Sequence, residues 1–200
     1  MIRPIRPDDI PWAARQHAAL MANSVFAAFG VRFLECFYSH FARSKTAIAY
    51  VWEENGLPVA VISATSDRTR FLRGLVLRHG ISLACYAAVG LLRPACRHLV
   101  GQLRRYPGHV DGERIEAEMI FITVAPECRG KGVAEKLIEA VLAEYASRGT
   151  PRVYVTIESE NAGVKRILER MQFQVVRSFL FADKQNDLLR LELPAGEGIG

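Results

Sequence analysis

The stretch that decides the fold is Met119-Ile120-Phe121-Ile122-Thr123-Val124 followed by Arg129-Gly130-Lys131-Gly132-Val133-Ala134. An apolar, β-rich run ends at Pro126, and two glycines then lead into a regular apolar period from Val133 to Ser147. Glycine lets the backbone approach a ligand closely. The first N–H groups of a helix lack internal partners, and the helix dipole adds positive potential there. A strand, a glycine turn and a helix in this order therefore predict an anion site suited to a phosphate or pyrophosphate, with Arg129 and Lys131 adding charge beside it.

Working outward, the pattern predicts a strand at Ile2 to Arg6, helices at Ile10 to Met21 and Val31 to Arg43, and a hairpin of Ala47 to Glu53 with Leu57 to Ala64 around Asn55-Gly56. A strand from Ile115 to Val124 precedes the glycine turn. The helix after it has its apolar face at Ala134, Leu137, Ile138, Val141, Leu142 and Tyr145. Arg152 to Glu158 reads as a strand, Asn161 opens a helix, and Phe173 to Phe181 and Leu188 to Leu193 read as strands around an Asp183-to-Asp187 turn. Hairpins mixed with crossovers imply an α/β (α+β) chain built on a mixed sheet flanked by helices. Residues 1 to 194 are expected to form a single domain, and 195 to 200 a loose tail.

The charge is uneven. Net charge is +5, yet Arg68 to Val110 holds eight arginines and no acid, so the rest of the chain carries −3. The same segment, an insert at about 67 to 112, contains Leu75, Val76, Leu83, Val89, Leu91, Leu92, Leu99, Val100 and Leu103. It reads as two helices broken near Arg93-Pro94, with apolar groups that need something to pack on. Three roles are open: a cover over an acceptor pocket with solvated arginines, attraction of an anionic acceptor, or contact with a membrane surface. Its longest uncharged run, Gly80 to Leu92, is too short to span a bilayer. No reader motif for specific nucleic-acid binding is present. Cys36, Cys85, Cys96 and Cys128 form no CxxC pair and have no metal-ligand spacing, so most are expected to be small buried hydrophobes of a chain in the reducing cytoplasm, with no metal.

With that order in place, the chain resembles the GNAT superfamily of acyl-CoA-dependent N-acetyltransferases. Arg129, Gly132 and Ala134 match its Q/R-x-x-G-x-G/A signature, and Val124-Ala125-Pro126-Glu127 matches the usual lead-in. Ser159-Glu160-Asn161 opens the next helix as in the family, and Phe173 begins the strand after it. The resemblance covers 113 to 181 well and 2 to 66 in element order only; 67 to 112 does not match. It implies a mostly antiparallel GNAT-like mixed sheet and acetyl-CoA as co-substrate. The pyrophosphate would lie on the amides of Arg129, Gly130, Lys131, Gly132, Val133 and Ala134. Pantetheine would pair with Ile122, Thr123 and Val124, where that strand parts from Arg152 to Glu158. Asn161 would contact the cofactor, or cap its own helix.

Transfer to an amine requires a base. Glu118 stands where many family members place it, with Glu116 as the other candidate; both are read on one face with Ile120, Ile122 and Val124. The family's tyrosine acid is replaced by Leu168, and the glycine before Phe173 by Gln172. The resemblance thus implies transfer of acetyl to a primary amine, in first place a small molecule such as an amino sugar or other anionic metabolite. Alternatives are a protein or peptide amine, or an acyl-CoA sensor without turnover. A covalent role for Cys128 is not expected, because the family transfers directly. The oligomeric state is not legible.

Overall fold

The computed structural model describes residues 1–22, 24–92, 97, 98, 101 and 106–194. Seven strands form one sheet in the order β1 (Ile2–Pro4), β2 (Ala47–Glu54), β3 (Leu57–Thr65), β6 (Glu118–Val124), β7 (Arg152–Glu158), β9 (Lys184–Glu192) and β8 (Gln174–Phe181). All neighbours are antiparallel except β6 and β7. A separate short hairpin joins β4 (His109–Val110) to β5 (Glu113–Arg114). The mixed, mostly antiparallel sheet expected from the sequence is the one observed.

Helices cover both faces. On one, α5 (Val133–Ser147) buries Val133, Leu137, Ile138, Val141 and Tyr145 against Met119, Val153 and Val155. Ala134 and Leu142 of its apolar stripe are half-buried. On the other, α1 (Ile10–Leu20), the short α2 (Val25–Ala28) and α3 (Val31–Phe41) enclose an aromatic core. Phe37 lies at its centre, 4.9 Å from Phe41 and 4.8 Å from Phe26 between ring centroids. The 24-residue α4 (Arg68–Leu91) lies against α3, and α6 (Ala162–Arg170) links β7 to β8.

Three expectations change. The Asn55-Gly56 turn stands, both residues having positive φ as a tight hairpin requires. The last hairpin, however, turns at Ala182-Asp183, and β9 starts at Lys184. The polar run to Asp187 is strand because its side chains are satisfied inside the sheet: Asn186 donates to the Phe181 and Lys184 carbonyls, and Asp187 accepts from Lys165 and Ser178. The strand into the glycine turn starts at Glu118, not Ile115. Finally, most apolar groups of the insert do not pack among the described residues. Phe71 and Leu75 are buried, but Val76, Val89, Leu91 and Leu92 are exposed. Leu99, Val100, Leu103, the break at Arg93-Pro94 and the tail from 195 lie outside the described residues.

Candidate active site

The site is set by where β6 and β7 part. Their parallel pairing is limited to Glu118 with Tyr154 and Met119 with Val155. From Ile120 onward β6 keeps only β3 as a partner, while Thr156 to Glu158 pair with β9. The backbones of Ile122, Thr123 and Val124 thus border an opening on the β7 side. Thr123 is buried, and its Oγ1 has no hydrogen-bond partner among the described residues. The Val124 carbonyl accepts from Arg129 Nε at 3.3 Å.

At the open end of β6, the turn through Pro126–Cys128 leads to Arg129, Gly130, Lys131 and Gly132, all exposed. Gly130 and Gly132 both have φ of 74°, a left-handed conformation that favours glycine, and a Cβ on either would meet open space. Gly132 is the N-cap of α5 and supplies no side-chain cap. The first amides of α5, from Val133 and Ala134, therefore have no intrahelical partner. Turn and opening suit a ligand with a phosphate end and an amide-bearing arm. Asn161 sits across the opening at the start of α6, where its Oδ1 accepts from the Val164 amide at 3.3 Å and caps the helix.

At the closed end lies Glu118, 3% exposed. A bulge at Ile120 shifts the register between Ser63–Phe121 and Ala64–Met119. The extra residue reverses the alternation of the strand. Ile122 and Val124 face α5, whereas Glu118 faces Tyr106 and Arg68 on the other side. The shared face read from the sequence is corrected by that bulge. Glu116 precedes the strand, is exposed, and lines a surface groove of about 530 Å³ with Asp67, Arg70, Arg73 and Arg114.

Glu118 Oε1 accepts from the Tyr106 hydroxyl, and Oε2 lies 3.3 Å from Arg68 Nη1. Burial pushes the carboxyl above its usual range, opposed by the Arg68 charge. Tyr106 also lies 2.9 Å from Thr156 Oγ1, on the first β7 residue beyond the last pair with β6. Its hydroxyl therefore bridges the two strands at the point where they separate. Its ring stands edge-on to Phe179 and Phe181, at centroid distances of 5.8 and 5.3 Å. Burial and the neighbouring carboxylate push the phenol well above its usual range.

The insert closes this end. Arg68 starts α4, with its amide on the Glu116 carbonyl at 2.9 Å and its guanidinium on the Pro107 carbonyl at 3.1 Å. Arg70, Arg73 and Arg78 are exposed. Tyr106, Arg68 and Thr156 were not found by sequence reasoning, because the first two belong to the segment without a family pattern. Leu168 is fully buried in the α5 core and offers no proton. Cys128 is buried beside Glu54, whereas Cys85 is exposed on α4, against expectation, and Cys36 is half-buried. No cluster of metal-ligating side chains occurs among the described residues.

A sheet split beside a glycine turn and helix defines an acetyltransferase-type fold, and comparison with known proteins agrees. The model of the acetyltransferase (GNAT) family matches residues 18–173, and the chain belongs to that family. An acetyltransferase of Pectobacterium atrosepticum is 29% identical over 69 residues, 34% of this chain and 48% of that protein. The chain thus spans about half the length of the curated relatives it matches. A ribosomal-protein-alanine N-acetyltransferase from Brucella melitensis superposes with a TM-score of 0.64 at 15% identity, covering 96% of this chain and 99% of that one. The acetyltransferase yncA from Salmonella typhimurium, solved with acetyl-CoA, superposes with a TM-score of 0.60 at 16% identity, covering 100% and 96%.

Proposed function

We propose that this chain is an acetyl-CoA-dependent N-acetyltransferase acting on a small primary amine, with Glu118 as the base and Tyr106 as its proton relay. Acetyl-CoA supplies an activated acetyl group on a thioester. Its pyrophosphate is assigned to the amides from Arg129 to Ala134, and its amide arm to Ile122, Thr123 and Val124. Asn161 is placed near the cofactor from the far side of the opening. The cysteine usage supports a cytoplasmic setting.

The observation that carries the reading is the Tyr106 hydroxyl spanning Glu118 and Thr156 at the apex of the split. The amine must lose a proton as its nitrogen bonds to the acetyl carbon and the carbon–sulfur bond breaks. Tyr106 accepts that proton while passing its own to Glu118, and the return transfer protonates the leaving thiolate. One proton thus serves both steps, which offsets the leucine at position 168. Arg68 restrains the elevated carboxyl pKa, and the ring contacts from Phe179 and Phe181 fix the phenol. A small acceptor is favoured because Glu118 lies under Tyr106 and Arg68 and not on an open groove.

The test is release of CoA in the presence of small amines and of free N-terminal peptides. Small amines should accelerate it. Glu118→Gln should slow turnover by roughly 10²–10⁴-fold, the scale of general-base loss. Tyr106→Phe should also slow turnover and, by removing a hydrogen bond that holds the Glu118 pKa down, move the acidic limb of the rate profile to higher pH. Activity on peptides alone would transfer the acceptor to a protein amine; the Brucella neighbour is named for a ribosomal-protein alanine. Binding of acetyl-CoA with no acceptor-dependent turnover would leave a sensor.

A further inference from the structure

The helix α4 is long and apolar enough to cross a membrane, with a mean hydropathy of 1.4 over 18 residues, yet only 11% of that window is buried. Its neighbours fix how it lies. Phe71 and Leu75 enter the core shared with α3. A Cβ on Gly74 would sit 3.0 Å from the His40 ring, and one on Gly90 would sit 2.6 Å from the Phe29 ring. His40 lies in the last turn of α3 and Phe29 precedes its start, so α4 is pressed antiparallel onto α3 from its second turn to its last. Such close approach needs glycine. A helix held along its length on one side presents a fixed opposite side.

That outer side is apolar. At 3.6 residues per turn, Leu77, Ile81, Ala84, Ala88 and Leu92 fall on one stripe. Leu77 is 83% exposed, Ile81 85% and Leu92 79%. The charge around the stripe is mainly positive. Arg70 and Arg73 lie at its N-terminal end, and Arg78 shares a groove with Arg43 against Leu77. His79 is held below its usual pKa by burial and by the charges of Arg78 and Arg43. The acids near this end are Asp67 and Glu116, in the groove that also holds Arg70, Arg73 and Arg114. No acid occurs from Arg68 to Val110, and no charge from Gly80 to Leu92.

We propose that the outer stripe of α4 docks on the surface of an anionic phospholipid bilayer, with Leu77, Ile81 and Leu92 in the acyl boundary and Arg70, Arg73 and Arg78 on lipid phosphates. An apolar stripe beside cations is what an interfacial helix requires. A second copy is disfavoured as occupant, because two identical faces would bring like charges together. Nucleic acid would leave the stripe unsatisfied. A spanning arrangement would strip Phe71, Leu75, Gly74 and Gly90 from α3. Since Arg68 of the same helix reaches Glu118, docking brings the candidate site near the lipid surface.

The test is co-sedimentation of the full chain with phosphatidylglycerol–phosphatidylcholine vesicles and with phosphatidylcholine alone. The wild type should pellet with anionic vesicles at low salt and not with neutral ones, and salt should release it as the screening length falls to about 3 Å at 1 M. Leu77→Asp with Ile81→Asp should stay in the supernatant. Arg70→Gln, Arg73→Gln and Arg78→Gln together should raise the lipid required by on the order of a hundredfold, at about fivefold per cation. Circular dichroism and acetyl transfer to a soluble amine should be unchanged in both variants, which separates this inference from the proposed reaction. The proposal is overturned if the wild type stays in solution with anionic vesicles, or if the aspartates leave pelleting unchanged. A dimer abolished by the aspartates, in a chain that ignores vesicles, would assign the stripe to a second copy.

Discussion

The two long helices α5 and α4 differ in what their apolar residues face. Leu137, Ile138, Val141 and Tyr145 of α5 are buried to 1% exposure or less, whereas Leu77, Ile81 and Leu92 at α4 are among the most exposed large hydrophobics. Both segments advertise a helix by composition. Only α5 is flanked by elements that need its face: the sheet above it and the glycine turn before it. Periodicity therefore tells which residues share a side, but the partner of that side is told by the neighbouring elements.

The sharpest way to break the comparison is to place one charge in each helix. Gly132→Glu should abolish acetyl-CoA binding in calorimetry, by forcing a side chain and a negative charge into the left-handed N-cap. Ile81→Glu should leave that binding as it is. Retained affinity in a folded Gly132→Glu chain would remove the turn from the cofactor site. Truncation sharpens the same contrast in stability. Leu137→Ala should cost roughly 2–5 kcal/mol, the range for a buried leucine. Ile81→Ala should stay within about 0.5 kcal/mol, as for exposed positions. Comparable denaturation midpoints for the two would show that α4 is covered in solution.

The packed side also makes a pH prediction. His17 is fully buried under Phe121, between Tyr38 and Ser24, and burial lowers its pKa from 6.5 to about 4. Between those values the unfolded chain binds more protons than the folded one. The contribution is therefore complete above about 6.5 and is lost as pH falls toward 4. Between pH 7 and 5 this should remove about 2 kcal/mol of stability in urea titrations. A response no larger than that of His17→Gln would exclude this histidine as the source.

The smallest effect belongs to Gln172, which follows α6 with φ of 67°, a left-handed conformation that favours glycine. Gln172→Gly should stabilise by up to about 1 kcal/mol, by relieving the left-handed conformation. An unchanged melting temperature would mean that the side chain compensates in place.

Much of the cofactor half was legible, because its signals are local. Val133 to Ser147 and Arg152 to Glu158 have the bounds read from their patterns. Asn55-Gly56 declared its turn chemically, whereas Ala182-Asp183 did so only in part, since Asp183 tolerates positive φ but Ala182 is not a usual choice for it. The bulge at Ile120 left no mark in the sequence, yet it decides which way Glu118 points. Tyr106 was equally hidden. Its place follows from a chain return over 38 residues from Arg68, and no local pattern encodes such a return.

That return has a further consequence. Arg68 and Tyr106 meet on the same carboxylate, so the segment between them is a loop closed at its base by Glu118. Closing a flexible loop costs only about 0.6 kcal/mol more for each doubling of its length. Here α4 is already packed on α3, so Arg68 reaches the carboxylate on an ordered helix and less chain is left to close than the sequence separation implies. The carboxylate thus acts as a clasp: a change made between Arg68 and Tyr106 is felt at Glu118 through the two side chains that touch it.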